Sequence, residues 1–345
     1  MLLNIVLSVV GFVMLIKCAD FFVDGAVSLA KHIKISTTVI GLTIVSFGTS
    51  APELAISFNS HLSGNTDMLF GNVIGSSITN ILVILGIAIL IKPLKVHSDV
   101  IKKEIPILLL MTLALSALML DTVFDAAAYS SLSRVDSIIL ILFFCVFVYY
   151  LLTLLAKGKN KPSPKPESVG AELVSALSSP PAKERGQTQD LPLPTKYKLP
   201  IAIVAILLGL GGIVIGSNLV VDNVASFAEA IGISQKIISV TIISIGTSLP
   251  ELVTTITAAK KGENAIAIGN IVGSNIFNIC IVLGLPVLIL GEAVTTAFGL
   301  VDVIFMLLAV ILLWIFSATN REIKRYEGII LIAVYCFYGV YIFVQ

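Results

Sequence analysis

Two glutamates stand where a carboxylate is expensive. Glu53 sits in Ser46-Phe47-Gly48-Thr49-Ser50-Ala51-Pro52-Glu53, deep inside an apolar run, and Glu251 sits in the matching Ser244-Ile245-Gly246-Thr247-Ser248-Leu249-Pro250-Glu251. A charge in such a run costs several kcal/mol and normally marks an ion or proton pathway. On a helix Ser46, Thr49, Ser50 and Glu53 fall at i, i+3, i+4 and i+7 and share one face. Pro52 removes a backbone donor and crowds the carbonyl of Gly48, so the helix is expected to break there and turn carbonyl oxygens inward. Broken backbone at membrane depth is tolerated only where it is buried in protein or lines a cavity. Carboxylate, hydroxyl and carbonyl oxygen together are the ligand set of a hard cation.

A second block adds Asn72, Ser76 and Asn80 at intervals of four, beside Gly71 and Gly75; its counterpart holds Asn270, Ser274 and Asn278 beside Gly269 and Gly273. The Gly-x-x-x-Gly spacing reads as close helix packing. Singly, the Ser and Thr residues read more readily as packing groups bonded to their own backbone than as ligands. Asp20, Asp24 and Asp222 lie nearer the ends of apolar runs and read as solvated. Gly209-Leu210-Gly211-Gly212 lacks the spacing and the preceding strand of a nucleotide loop.

These residues are carried by a chain in which 57% of 345 residues are apolar and 12% charged, with a mean hydropathy of +1.04; soluble domains carry about 25% charged residues. Ten apolar segments approach the roughly 20 residues that cross a bilayer: 2–30, 37–60, 68–91, 105–120, 135–156, 200–231, 237–259, 265–290, 298–317 and 328–344. The expected fold is therefore an all-α integral membrane protein of ten transmembrane helices. The first segment has no basic region or cleavage site before it and reads as a retained helix rather than a signal peptide. Of 22 Lys and Arg residues, 19 fall in the odd connections, two (Arg134 and Lys236) in the even ones, and Lys17 inside the first segment. The basic side is cytoplasmic by the positive-inside rule, which places both termini outside, extracellular or periplasmic. Between residues 1–156 and 200–345 lies a linker, 157–199, with seven prolines among Lys, Ser and Gln. It reads as a disordered cytoplasmic tether. Cys18, Cys145, Cys280 and Cys336 lie singly in apolar runs and read as small hydrophobes. His32, His61 and His97 form no metal-ligand pattern.

The two acidic blocks belong to an internal repeat. The offset is 198 both from Glu53 to Glu251 and from Asn80 to Asn278, and 19 of 46 positions are identical between 41–86 and 239–284. Five spans per copy, an odd number, require the second copy to enter the membrane inverted. Inverted repeats place the substrate near the midplane, where the copies meet.

The paired Gly-Thr-Ser-x-Pro-Glu and Gly-Asn-x-x-Gly-Ser-x-x-x-Asn blocks resemble the two alpha repeats of the cation/calcium exchanger superfamily, and prokaryotic sodium/calcium exchangers within it. The resemblance covers all but the linker. It implies an antiporter, not an enzyme, exchanging calcium for sodium in the cell (plasma or inner) membrane by alternating access. The first and sixth helices would slide across the core, and calcium and sodium are cargo, with no prosthetic group, no nucleic-acid partner and a functional monomer. It implies a calcium site of Glu53 and Glu251 with Thr49 and Thr247 contributing carbonyls. Flanking sodium positions would use Ser46, Ser50, Ser76, Ser244, Ser248 and Ser274, with Asn72, Asn80, Asn270 and Asn278 as supporting polar groups. Relatives often carry Asp at one of the positions held here by Asn80 and Asn278. Two carboxylates balance one calcium or two sodium ions, which leaves the sodium stoichiometry and proton coupling open. Two alternatives stand beside this reading. A calcium/proton antiporter of the same fold resembles Gly-Asn-x-x-Glu around its acid instead. An intramembrane hydrolase would need a water nucleophile and a substrate groove, which nothing in the sequence suggests.

Overall fold

The computed structural model describes residues 2–120, 129–159, 196–230, 244–319 and 321–344. Helix α1 (Leu2–His32) is followed by α2 (Thr37–Thr49) and α3 (Ala51–Leu62), two pieces of one apolar stretch bent by 43° at the Ser50 break. Next come α4 (Thr66–Ile91), strand β1 (Leu94–Lys95), α5 (Ile105–Leu118, entered through a π-helical turn Val100–Glu104), β2 (Ser130–Leu132) and α6 (Arg134–Lys159). The second half contains α7 (Leu199–Ala230), α8 (Ser244–Thr247), α9 (Leu249–Lys261) and α10 (Asn264–Leu290). It ends with β3 (Ala293–Thr295), α11 (Leu300–Ala318), β4 (Glu322–Ile323) and α12 (Arg325–Val344).

Among the described residues seven helices are long and apolar enough to cross a membrane, and the α2–α3 pair makes an eighth. These seven follow the apolar runs to within a few residues. The fourth expected segment, 105–120, falls short because its α-helix runs only over Ile105–Leu118, the five residues before it, Val100–Glu104, being π-helical. The start of the seventh expected segment, 237–243, lies outside the described residues, as does 160–195 of the expected linker.

Composition sorts the helices into layers. α4 and α10 are largely buried, whereas α1, α6 and α12 present Leu, Val, Ile and Phe outward, for example Leu3, Val9, Leu142, Val146, Ile329 and Phe337. Apolar side chains on that outer surface suit hydrocarbon, where helices satisfy their own backbone groups. Three helices start alike: the carboxylates of Asp136, Asp302 and Glu327, three residues into α6, α11 and α12, accept from the backbone N–H of Ser133, Gly299 and Lys324. A negative group there suits the unpaired donors of a helix start.

α1 packs along the length of α7, and glycines let the backbones meet. A Cβ on Gly209 would lie 2.8 Å from the Phe22 nitrogen, and one on Gly216 3.0 Å from the Gly11 carbonyl oxygen. The Gly209–Gly212 cluster is thus a helix-packing surface.

The strands are short and informative. β1 pairs antiparallel with β4 (Leu94 opposite Ile323), and β2 with β3 (Ser131 opposite Val294). β1 and β3 follow the repeat-equivalent helices α4 and α10, and each pairs with a connection of the other half.

Candidate functional site

Both repeats break their helix in the same way. Ser50 has φ −88°, ψ 7° and Ser248 φ −91°, ψ 7°, and each is followed by a helix with Pro in its first turn and Glu as its third residue. Pro52 and Pro250 have no N–H to give the carbonyls of Gly48 and Gly246. In the second copy the Ser217 hydroxyl on α7 donates to the Gly246 oxygen at 3.0 Å. The two carboxylates thus stand in the first turns of α3 and α9, where the helix dipoles favour negative charge.

The breaks meet. Ser50, three residues before Glu53, donates from its hydroxyl to Oε1 of Glu251 in the other half at 2.9 Å. The Thr49 hydroxyl donates to Oδ1 of Asn270 at 3.2 Å and to the Ser46 carbonyl at 3.2 Å. Asn72 donates through Nδ2 to the Glu53 carbonyl and to the Ser57 hydroxyl, both at 2.9 Å. Asn270 repeats this pattern on the Glu251 carbonyl at 3.5 Å and the Thr255 hydroxyl at 2.9 Å. Asn72 and Asn270 therefore hold the next helix of each copy against the carboxylate-bearing turn. Ser274 donates to the Ser46 carbonyl at 3.5 Å, and Ser46 to Thr43 at 3.2 Å.

Glu53 is 1% exposed and Glu251 fully buried. Neither oxygen of Glu53 has a hydrogen-bond partner among the described residues, and nor do Oε2 of Glu251, the Ser248 hydroxyl, Oδ1 of Asn80 or either amide atom of Asn278. Buried polar atoms are nearly always paired, so a cluster of orphaned oxygens needs an explanation. Two carboxylates surrounded by hydroxyl and amide oxygen fit a hard cation as bound substrate. Among the described residues no group of three or more His, Cys, Asp or Glu could hold a metal ion, so this set has two carboxylates and neutral oxygens.

Among the other expected residues, Ser76 is buried on α4, and Thr247 lies half-buried in α8. Ser244 opens α8, but its side chain lies outside the described part. Asp20 and Asp24 lie away from the break: Asp24 pairs with Lys261 at 2.8 Å and with Lys196, and Asp20 with Lys261 at 3.2 Å. They are ion-paired rather than simply solvated, and the Asp24 carboxylate holds the Lys196 ammonium above its usual range. Asp222 is exposed. Ser57, Thr255, Ser77 and Asn275 border the site and were not singled out from the sequence. Ser57 and Thr255 stand four residues after the glutamates and are related by the same offset of 198, a signal the repeat contains.

The sodium/calcium exchanger protein family profile matches residues 3–153 and 201–344. CaxA of Alkalimonas amylolytica is 38% identical over 346 residues, covering 99% of each chain. The sodium/calcium exchanger MaX1 of Methanosarcina acetivorans is 33% identical over 361 residues, covering 99% of this chain and 98% of its own. Among solved structures, the sodium-calcium exchanger NCX_Mj superposes with a TM-score of 0.77 at 27% identity over 98% of both chains. The matched segments contain both acidic blocks and most of the length of every long helix, and the chain belongs to the sodium/calcium exchanger protein family.

Proposed function

We propose that this multi-pass membrane protein exchanges calcium for sodium by alternating access around the paired carboxylates. The observation that carries the proposal is the cluster of buried, orphaned oxygens on two repeat-related helix breaks, Glu53 and Glu251 foremost. One calcium ion or two sodium ions neutralise the two negative charges, so either cargo relieves the cost of burying them. Occupation by one excludes the other, and that competition is the basis of exchange.

In this reading Glu53 and Glu251 bind calcium with the carbonyls of Thr49 and Thr247, and Ser46, Ser50, Ser76, Ser244, Ser248 and Ser274 supply flanking sodium oxygens. Asn72 and Asn270 brace the two breaks, and Asn80 and Asn278 add amide oxygens. The chain forms ten spans in two inverted units, 1–156 and 200–345, joined by a cytoplasmic tether, with both termini outside; one copy suffices. Strand pairing supports inversion. If α5 crosses the membrane, β1 and β2 lie on opposite faces; β3 shares the face of β2, so the equivalent connections β1 and β3 are also opposed. The α1–α7 pair, joined by glycines, is the natural sliding unit.

Purified protein in liposomes loaded with sodium should take up calcium when diluted into sodium-free medium. A proton gradient alone should drive none. Uptake on the proton gradient and not on sodium would replace sodium with the proton as coupling ion, and uptake on neither would sink exchange altogether.

A further inference from the structure

Four positions of the second block differ between the copies, and at one of them a hydroxyl stands in place of an amide: Ser77 in the first copy stands where Asn275 stands in the second, between identical neighbours Ser76 or Ser274 and Ile78 or Ile276. All four residues that follow from this difference, Ser77, Asn80, Asn275 and Asn278, are at most 2% exposed. Asn275 donates through Nδ2 to the backbone carbonyl of Ser77 at 3.3 Å, and its Oδ1 accepts from Nδ2 of Asn80 at 3.1 Å. A backbone carbonyl can only accept, so Asn275 must turn its amide nitrogen towards Ser77 and its oxygen towards Asn80. Asn80 must then answer with its own nitrogen, and its Oδ1 is left without a partner. The orientation of the Asn80 oxygen is set by this chain, which starts from a main-chain atom that cannot reverse.

Among the described residues the other half has no such chain. Ser77 has one hydroxyl, without a partner among the described residues, and both amide atoms of Asn278 are also unpartnered. We infer that Asn275 is a positioning residue for ion binding: it holds the Asn80 amide oxygen in place as a fixed cation donor and makes the two halves of the site unequal. A donor already held in place loses little freedom on binding, whereas Asn278 must be ordered by the ion itself. The inference rests on the exchange reading above, in which Asn80 and Asn278 are neutral members of the cation site.

The test uses the full-length protein in liposomes, with sodium-driven calcium flux measured against calcium concentration, and Tm measured in detergent. N275S, which gives the second copy the first copy's residue, should raise the calcium concentration for half-maximal flux about tenfold, the effect of roughly one lost hydrogen bond at a charged site. The maximal rate should stay within about twofold, because no carboxylate changes. N80A should raise the half-maximal calcium concentration at least as far, and N80A/N275S should be no worse than N80A alone. The swap S77N/N275S moves the anchor to Asn278 and should recover most of the lost affinity. An unchanged half-maximal concentration in N275S, or a swap variant as weak as N275S, overturns the inference. Should N275S alone not fold, recovery of fold and calcium dependence in the swap carries the prediction, and an unfolded or calcium-indifferent swap overturns it. Glu53→Gln in the same assay separates the two layers: if it transports normally, the exchange site itself is wrong, whatever Asn275 does.

Discussion

Replacing either glutamate by glutamine removes one of the two buried charges without changing volume. For Glu251→Gln the structure makes the consequence specific. Oε1 accepts from Ser50 at 2.9 Å and Oε2 has no partner, so a glutamine that keeps the Ser50 bond must point its NH2 into the cation cavity. For Glu53→Gln neither oxygen is committed, and the amide can at least turn its oxygen inward. Two unit charges about 4 Å apart attract by about 4 kcal/mol at an effective dielectric of about 20, hence about 8 kcal/mol for a divalent ion. If relief of carboxylate desolvation returns half of that, about 4 kcal/mol of calcium binding is lost, close to a thousandfold. Tracer calcium flux in liposomes should therefore be at background for both variants, and Glu251→Gln should be at least as damaged as Glu53→Gln. Detergent-solubilised Tm should stay at or above the unmodified value, because a buried charge has been removed. Calcium flux above about a tenth of the unmodified rate in either folded variant would refute the claim that both carboxylates face one ion.

Gly209→Ala places a Cβ 2.8 Å from the Phe22 nitrogen and 2.9 Å from its Cα, so α1 and α7 must separate; a loss of about 1–3 kcal/mol, read as a lower Tm, is expected. With the native cysteines replaced, a short thiol crosslinker between D24C and K261C, whose native side chains meet at 2.8 Å, should stop calcium flux, and reducing it should restore flux; full-rate transport with the crosslink complete would rule out movement of α1 against α9. Deleting 163–194 should leave sodium-driven calcium flux largely intact, and its loss in a folded deletion would give the linker a regulatory role. Asn278→Asp, which puts a third carboxylate in place of an amide with both atoms unpartnered among the described residues, should tighten cation binding or alter sodium dependence, measured as the calcium concentration for half-maximal flux at several sodium concentrations.

The membrane spans were readable because hydrocarbon leaves the backbone no other partner than itself, so apolar length alone marks a helix. The break at Ser50 was readable because Pro52 deletes one specific hydrogen bond, and the offset of 198 carried that reading to Ser248. What stayed hidden depends on contacts across the two halves. The bond from Ser50 to Glu251 and that from Thr49 to Asn270 join residues more than 200 positions apart, which no local spacing encodes. The π-helical turns at Asn80–Leu85 and Asn278–Leu283 have no sequence signature, although they start at the two asparagines of the repeat. Asp24 looked solvated because it lies near the end of an apolar run; its partners Lys196 and Lys261 come from other elements that the fold brings to it. Asn275 has Ser77 as its counterpart, so the repeat carries no signal for it.

In this reading calcium and sodium occupy one site built on Glu53 and Glu251. Calcium titration of the detergent-purified protein at a series of sodium concentrations tests it most directly. With two carboxylates neutralised by one calcium or by two sodium ions, the apparent calcium Kd should rise with sodium more steeply than in proportion, and calcium binding should vanish in Glu53→Gln and Glu251→Gln. A calcium Kd independent of sodium, or binding that survives in both variants, would contradict it.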